Sequence, residues 1–252
     1  MRNIWAIFKK ELRAYFTSPI AYVVFTVFLL LSGWFFYNTT AAFNTSAMHY
    51  MRYNFAAEEM SVNEMVIRPL FYNVSIILLL MLPLFTMRLY AEEKKQGTIE
   101  LLQTAPIANI QLVFGKFLGA LFVYALMLAF SFTYPVILHI FGTPDWGPIL
   151  TGYLGMLLMG AAYIAIGSLC SALTDSQIVA AVISFGVLLF LWVVSWASHF
   201  VGSAIGDVLS YISIIDHFED FTKGIIDTKD VVFYLSFIIF SLFLTNETLE
   251  LK

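Results

Sequence analysis

Residues 149–173 read ILTGYLGMLLMGAAYIAIGSLCSAL, an unbroken run with no charged side chain. As a helix rising about 1.5 Å per residue, such a run crosses the roughly 30 Å hydrocarbon core of a bilayer. Only three residues later, after Thr174-Asp175-Ser176, a second run of the same kind begins at 177 and reaches 200. Two adjacent apolar runs of membrane length, joined by a tight polar turn, read as a transmembrane helical hairpin. Working outward, comparable blocks lie at about 20–40, 70–90, 112–140 and 230–246. Lipid tolerates only helices and closed barrels, because every backbone polar group must be satisfied internally. The short alternating strands of a barrel are absent from this sequence. The fold class is therefore all-α, an integral membrane protein with six transmembrane helices and a single transmembrane domain over residues 1–252.

Composition agrees. Hydrophobic residues make up 60% of the chain and charged residues 12%, with mean hydropathy +0.84. A soluble domain of this length needs more charge to cover its surface. One cysteine, Cys170, rules out a disulfide framework within the chain. No stripe of Lys and Arg with interleaved aromatics marks a nucleic-acid surface, so no nucleic-acid partner is expected.

Residues 1–18 precede the first span. Ile4, Phe8, Leu12 and Tyr15 recur at helical spacing, with Arg2, Lys9 and Arg13 off that stripe. The pattern predicts a basic amphipathic helix lying in the membrane interface, with Trp5 at headgroup depth and Phe8, Lys9 and Leu12 completing its two faces. The apolar run from Ile20 to Tyr37 exceeds a signal-peptide core and lacks a clean cleavage site, so the segment reads as uncleaved. Ser18-Pro19 marks the break before the first span. The third span is long for one crossing, and a break is expected near Tyr134-Pro135. Between the first two spans a polar loop is expected at 41–68. Residues 201–229 are half apolar and are expected to form an outer re-entrant segment.

Basic residues orient the bundle. Nine of the thirteen Lys and Arg fall on the side of the termini and the 91–111 loop; Arg52, Arg68, Lys223 and Lys229 fall opposite. The bias predicts both termini in the cytoplasm, in a bacterial inner membrane.

The stretch YAEEKKQGTIELLQTAP, residues 90–106, carries the functional signal. Gly97 breaks the extension of the second span, and Thr98 is a suitable N-cap for a new short helix. Glu100 complements that helix's dipole in its first turn. Leu101 and Leu102 supply an apolar patch, and Pro106 ends the helix. From the residues alone, a helix over about 98–105 is either a docking surface for a partner or an ordinary loop helix folded against the bundle.

The spacing Gly97-Thr98-x-Glu100-Leu101-Leu102-x-x-x-Pro106 resembles the signature loop of ABC-2-type transporter permeases. The N-terminal pattern Trp5-x-x-Phe8-Lys9-Lys10-Glu11-Leu12, followed by Ser18-Pro19, is similar to that family's connecting helix. Ser168 through Ala181 resembles its junction between fourth and fifth spans, and 201–229 its outer re-entrant segment. Within the family, the gliding-motility and copper-processing permeases are the most similar branch. The resemblance implies that 98–105 is a coupling helix docking on a separate ATPase subunit through Gly97, Thr98, Glu100, Leu101 and Leu102. It further implies two ATPase copies, a second permease copy or a sister permease, and in some relatives an accessory membrane protein. No G-x-x-x-x-G-K-[ST] loop occurs here, so ATP and Mg are expected in the partner, and this chain is expected to be non-catalytic and without a cofactor. A rival expectation is a membrane anchor that transmits ATP-driven motion as force to an extracytoplasmic partner without transporting anything.

The remaining polar signals read more plainly. His139 and His199 sit near span ends, and Asp175 reads as an N-cap for the fifth span. Asp216-His217-Phe218-Glu219-Asp220 reads as a solvated outer face, and no metal ligand is assigned. Gly115 and Gly119 on the third span, and Gly160, Gly167 and Ser171 on the fourth, read as small faces for packing within the chain.

Overall fold

Ser18-Pro19 divides the N-terminal region into two helices, because proline lacks the N–H that would continue the first and favours the first turn of the second. In the computed structural model, which describes residues 2–52, 61–98, 107–198 and 203–250, these are α1 (Arg2–Thr17) and α2 (Pro19–Arg52). The expected polar loop over 41–68 is corrected at both ends, which are helical. Helix α2 runs on to Arg52, since its polar residues bond back to their own helix: Asn38 Nδ2 donates to the Trp34 carbonyl (2.8 Å), Thr39 Oγ1 to Phe35 (3.0 Å) and Thr45 Oγ1 to Ala41 (2.9 Å). At the other end, a π-helical turn at Asn63–Ile67 leads directly into α3 (Arg68–Thr86).

The chain continues through α4 (Ala91–Lys95), α5 (Asn109–Ser131), α6 (Thr133–Phe141), α7 (Trp146–Leu173) and α8 (Gln177–Ser198). It ends with α9 (Ser203–Ile212), α10 (Asp216–Thr222) and α11 (Thr228–Glu250). No strand occurs among the described residues. Among the described residues, six helical stretches are long and apolar enough to cross a membrane, with the π-turn, α3 and α4 counting as one and α5 and α6 as another. The expected break in the third span falls at Phe132, between those two helices. Pro135 accounts for it: without an N–H it cannot donate to the Ser131 carbonyl four residues back.

Helix α7 is the axis of the bundle, packed against α3, α5, α8, α10 and α11. Glycines make this possible by removing side chains where neighbours press closest. A Cβ on Gly160 would lie 2.3 Å from the Tyr124 ring, one on Gly167 2.1 Å from Thr86 Oγ1, and one on Gly152 2.0 Å from the Phe71 ring. The small face of the fourth span is thus used within the chain, as its spacing suggested. Helix α2 lies at the periphery instead, with Trp34 and Tyr37 exposed on the outside of the bundle.

Residues 201–229 contain two short helices. Phe218 and Phe221 of α10 are fully buried and lie on Gly155 of α7. Thr151 Oγ1 donates to the Phe221 carbonyl at 2.7 Å, which fastens this segment to the start of α7.

Candidate functional site

At the end of the bundle that holds α1, four elements meet in a charge-locked junction. Helix α1 lies along α5, and glycine again sets the approach: a Cβ on Gly115 would stand 2.7 Å from the Ile7 side chain, and one on Gly119 2.8 Å from Glu11 Cβ. The face of α1 turned inward is therefore centred on Ile7 and Glu11, both buried. Leu12 and Tyr15 pack partly against the core, Phe8 meets Phe122 edge-on (5.7 Å), and Trp5 stays exposed, stacked on Phe8 (5.0 Å) beneath Lys9 Nζ (5.3 Å).

Glu11 meets Lys116, which is only 1% exposed despite its charge. The Lys116 ammonium donates to Glu11 Oε1 at 2.8 Å, stands 3.0 Å from Glu93 Oε2 and faces the Tyr90 ring at 5.3 Å. Lys10 Nζ binds the other Glu93 oxygen at 2.6 Å. One carboxylate of α4 is thereby shared between a lysine of α1 and a lysine of α5. Buried charges persist only when paired and hydrogen-bonded, and this lysine has two carboxylates and an aromatic face. Beside it, Arg88 forks onto Glu92 (2.7 and 3.1 Å) and reaches Ser18 Oγ at 3.3 Å, at the α1–α2 break.

The segment between α3 and α4 hangs from α7. Ser171 Oγ accepts the N–H groups of Tyr90 (3.0 Å) and Ala91 (3.1 Å) and donates to the Met87 carbonyl (2.9 Å). Lys94 Nζ adds a bond to the Ala172 carbonyl. A cleft of about 350 Å³ opens between α1, α3 and α4, lined by Tyr15, Ser18, Arg88, Glu92 and Glu93 among others. Tyr15 stacks flat on Phe85 at 4.3 Å. Burial, and then the Glu11 carboxylate, hold its phenol well above the ordinary value, so it stays neutral.

After α4 the chain turns at Gly97, whose φ of +68° is left-handed backbone that a side chain strains. Thr98 Oγ1 donates back to the Glu93 carbonyl at 3.2 Å, closing the turn on the α4 side. Glu100, Leu101 and Leu102, with the rest of the expected 98–105 helix, lie outside the described residues. Gly97 and Thr98 thus stand at the end of a strut whose root is Glu93. Sequence reasoning missed Glu11, Glu93 and Lys116 as a unit. The available signal was a lysine inside an otherwise apolar span, flanked by Gly115 and Gly119.

The opposite end of the bundle corrects another expectation. His217 is buried rather than solvated: its ring stacks on Phe233 (3.8 Å), Nδ1 meets Asp230 Oδ1 at 2.6 Å, and Nε2 meets the Tyr211 carbonyl at 3.0 Å. Asp216 is held by Ser195 Oγ. Glu219 and Asp220 do reach the surface, where Lys223 binds them. Tyr211 and Phe233 flank the imidazole on the inner side, while Glu219 and Asp220 fall on the outer side of the same short helix. At the next turn, Asp227 accepts the Lys229 N–H at 3.0 Å, and that bond holds its carboxyl below the ordinary value. His139 is exposed against Trp146 (5.1 Å), and His199 lies outside the described residues. At the α7–α8 turn Thr174 Oγ1 accepts the Ser176 N–H at 3.2 Å, with Asp175 exposed beside it.

Among the described residues, six apolar spans, one of them a glycine-lined central helix, with ionic locks at the bundle ends, define a polytopic α-helical membrane protein. Residues 5–246 match the family model described as ABC-2 family transporter protein, nearly the whole chain. The chain belongs to the ABC-2 transporter family, as a membrane permease component of ABC-transporter type, and members of that family generally work with an ABC ATPase partner. No curated protein matches the chain.

Proposed function

We propose that this chain is the permease subunit of an ABC-2 exporter or extractor in a bacterial inner membrane, worked from the cytoplasm by two copies of a separate ATPase. Gly97, Thr98, Glu100, Leu101 and Leu102 form the docking segment on the ATPase, which binds ATP and Mg. A second permease copy or a sister permease completes the membrane unit. The nearest branch is that of the gliding-motility and copper-processing permeases, in which an accessory membrane protein is a natural further partner. Both termini lie in the cytoplasm, on the side that carries nine of the thirteen Lys and Arg.

One observation carries the reading. Glu93, at the root of the docking turn, binds Lys10 of α1 at 2.6 Å and lies 3.0 Å from Lys116 of α5. A displacement applied at the Gly97–Thr98 turn would reach Glu93 through the Thr98–Glu93 hydrogen bond, and from Glu93 both the interfacial helix and the third span. That is the connection a permease needs if ATPase closure is to move its membrane helices.

The test is affinity purification of the tagged chain from native membranes in mild detergent, followed by ATPase assay of the complex. A phosphate-loop ATPase is expected to co-purify. The variant Glu100→Ala/Leu102→Asp is expected to lose permease-stimulated hydrolysis while its thermal melting is unchanged. Recovery without any ATPase, or full stimulation in the double variant, overturns the proposal.

A further inference from the structure

At the end of the bundle opposite α1, three carboxylates converge. Asp220 at the end of α10, Asp227 in the following turn and Asp230 in the first turn of α11 each place an oxygen within 4.8 Å of the other two. Asp220 and Asp227 are reachable from outside, whereas Asp230 is 1% exposed. Close carboxylates on a surface need no ligand, and an acidic cluster alone says little. The buried member supplies the second observation. Asp230 Oδ1 is taken by His217, but Oδ2 is buried and has no hydrogen-bond partner among the described residues. A buried carboxylate oxygen without a donor costs free energy unless something positive approaches it.

We propose that Asp220, Asp227 and Asp230 form a binding site for a hard divalent cation of the calcium type. The donor set is all oxygen, with no thiolate and no free imidazole, which suits calcium rather than zinc or copper. The carboxylate is also oriented from behind as a ligand should be. The Tyr211 carbonyl fixes His217 through Nε2 (3.0 Å), and His217 Nδ1 fixes Asp230 Oδ1 (2.6 Å), leaving Oδ2 as the free oxygen. Lys229 Nζ stands 3.2 Å from Asp227 Oδ2 and 3.4 Å from Asp220 Oδ2, at the tip of an exposed, flexible stem. Its ammonium sits in the field of all three acids, so it competes with the metal and must swing outward when calcium binds. Lys223, 3.5 Å from Asp220 Oδ1, is committed to Glu219 at 2.7 Å and competes less. Binding would tie α10 and the turn after it to α11, replacing the Lys229–Asp220 contact and adding to the His217–Asp230 pair.

The test is calorimetric titration of CaCl₂ into the purified full chain in detergent, alone and in three variants. Saturable binding is expected, with a dissociation constant of about 10⁻⁴–10⁻³ M, as in modest extracellular calcium modules. Asp227→Asn, an exposed change that leaves the His217–Asp230 pair intact, is expected to weaken binding about tenfold. Asp230→Asn is expected to abolish it. Lys229→Met is expected to tighten binding several-fold, a result that a purely structural carboxylate cluster does not give. Absence of saturable binding to the folded parent chain overturns the proposal, and so does an affinity unmoved by Asp227→Asn.

Discussion

Lys116 shows how much one side chain can hold. It is buried at the junction of three elements, and its partners Glu11 and Glu93 come from two of them. Removing one member of a buried pair leaves the other charge uncompensated, at a cost of about 3–5 kcal/mol. Lys116→Met is therefore expected to lower the melting temperature in detergent markedly. Glu11→Leu/Lys116→Met, which removes the buried Glu11–Lys116 pair and leaves Glu93 on Lys10, is expected to recover most of that loss, and differential scanning fluorimetry reads both. A second residue acts through backbone alone. Gly97 has open space around a would-be Cβ, so its φ of +68° is the whole constraint. Gly97→Ala is expected to cost about 1–2 kcal/mol locally, read as faster hydrogen exchange over 91–98 with the spans unaffected.

At the scale of elements, glycine governs how helices meet. Helix α1 can lie on α5 because Gly115 and Gly119 present no side chain to Ile7 and Glu11. Asn3 Nδ2 donates to Gln111 Oε1 at 3.0 Å at the outer end of that contact. With cysteines at positions 3 and 111 in a Cys170→Ser background, a short bis-maleimide is expected to bridge the two helices in high yield. Adding Gly115→Leu is expected to lower that yield sharply, because the leucine pushes α1 away. Within the bundle, Gly160→Ala drives a methyl into the Tyr124 ring and is expected to destabilise by about 1–3 kcal/mol, measured by thermal melting.

Over the whole molecule, the two ends of the bundle carry different chemistry. The α1 end holds interlocked Lys–Glu pairs that connect elements far apart in sequence, beside the local Arg88–Glu92 pair. The opposite end holds the buried His217–Asp230 pair and surface acids. The orientation proposed from charge predicts opposite labelling. In the Cys170→Ser background, Lys95→Cys is expected to resist a membrane-impermeant maleimide in intact spheroplasts and to react after lysis. Lys223→Cys is expected to react before lysis, and the reverse pattern overturns the orientation.

The six spans, the amphipathic first helix and the broken third span were all legible in the amino-acid order, because lipid demands long apolar helices and proline removes a backbone donor wherever it stands. Gly97 was legible as a break for the same local reason. The continuation of α2 to Arg52 was not, since Asn38, Thr39 and Thr45 look like loop residues until their hydroxyl and amide groups fold back on helix carbonyls. Nor was the junction at Lys116. Its partners lie 105 and 23 positions away in the chain, and only the docking of α1 and α4 on α5 brings them within 3 Å. His217 looked solvated among its acidic neighbours for a similar reason. Burial is a property of what packs against a residue, and Phe233 and Asp230 arrive from another helix. Periodicity and breakers act along the chain and can be read there; charge pairing and burial act across it, and only the tertiary structure decided them.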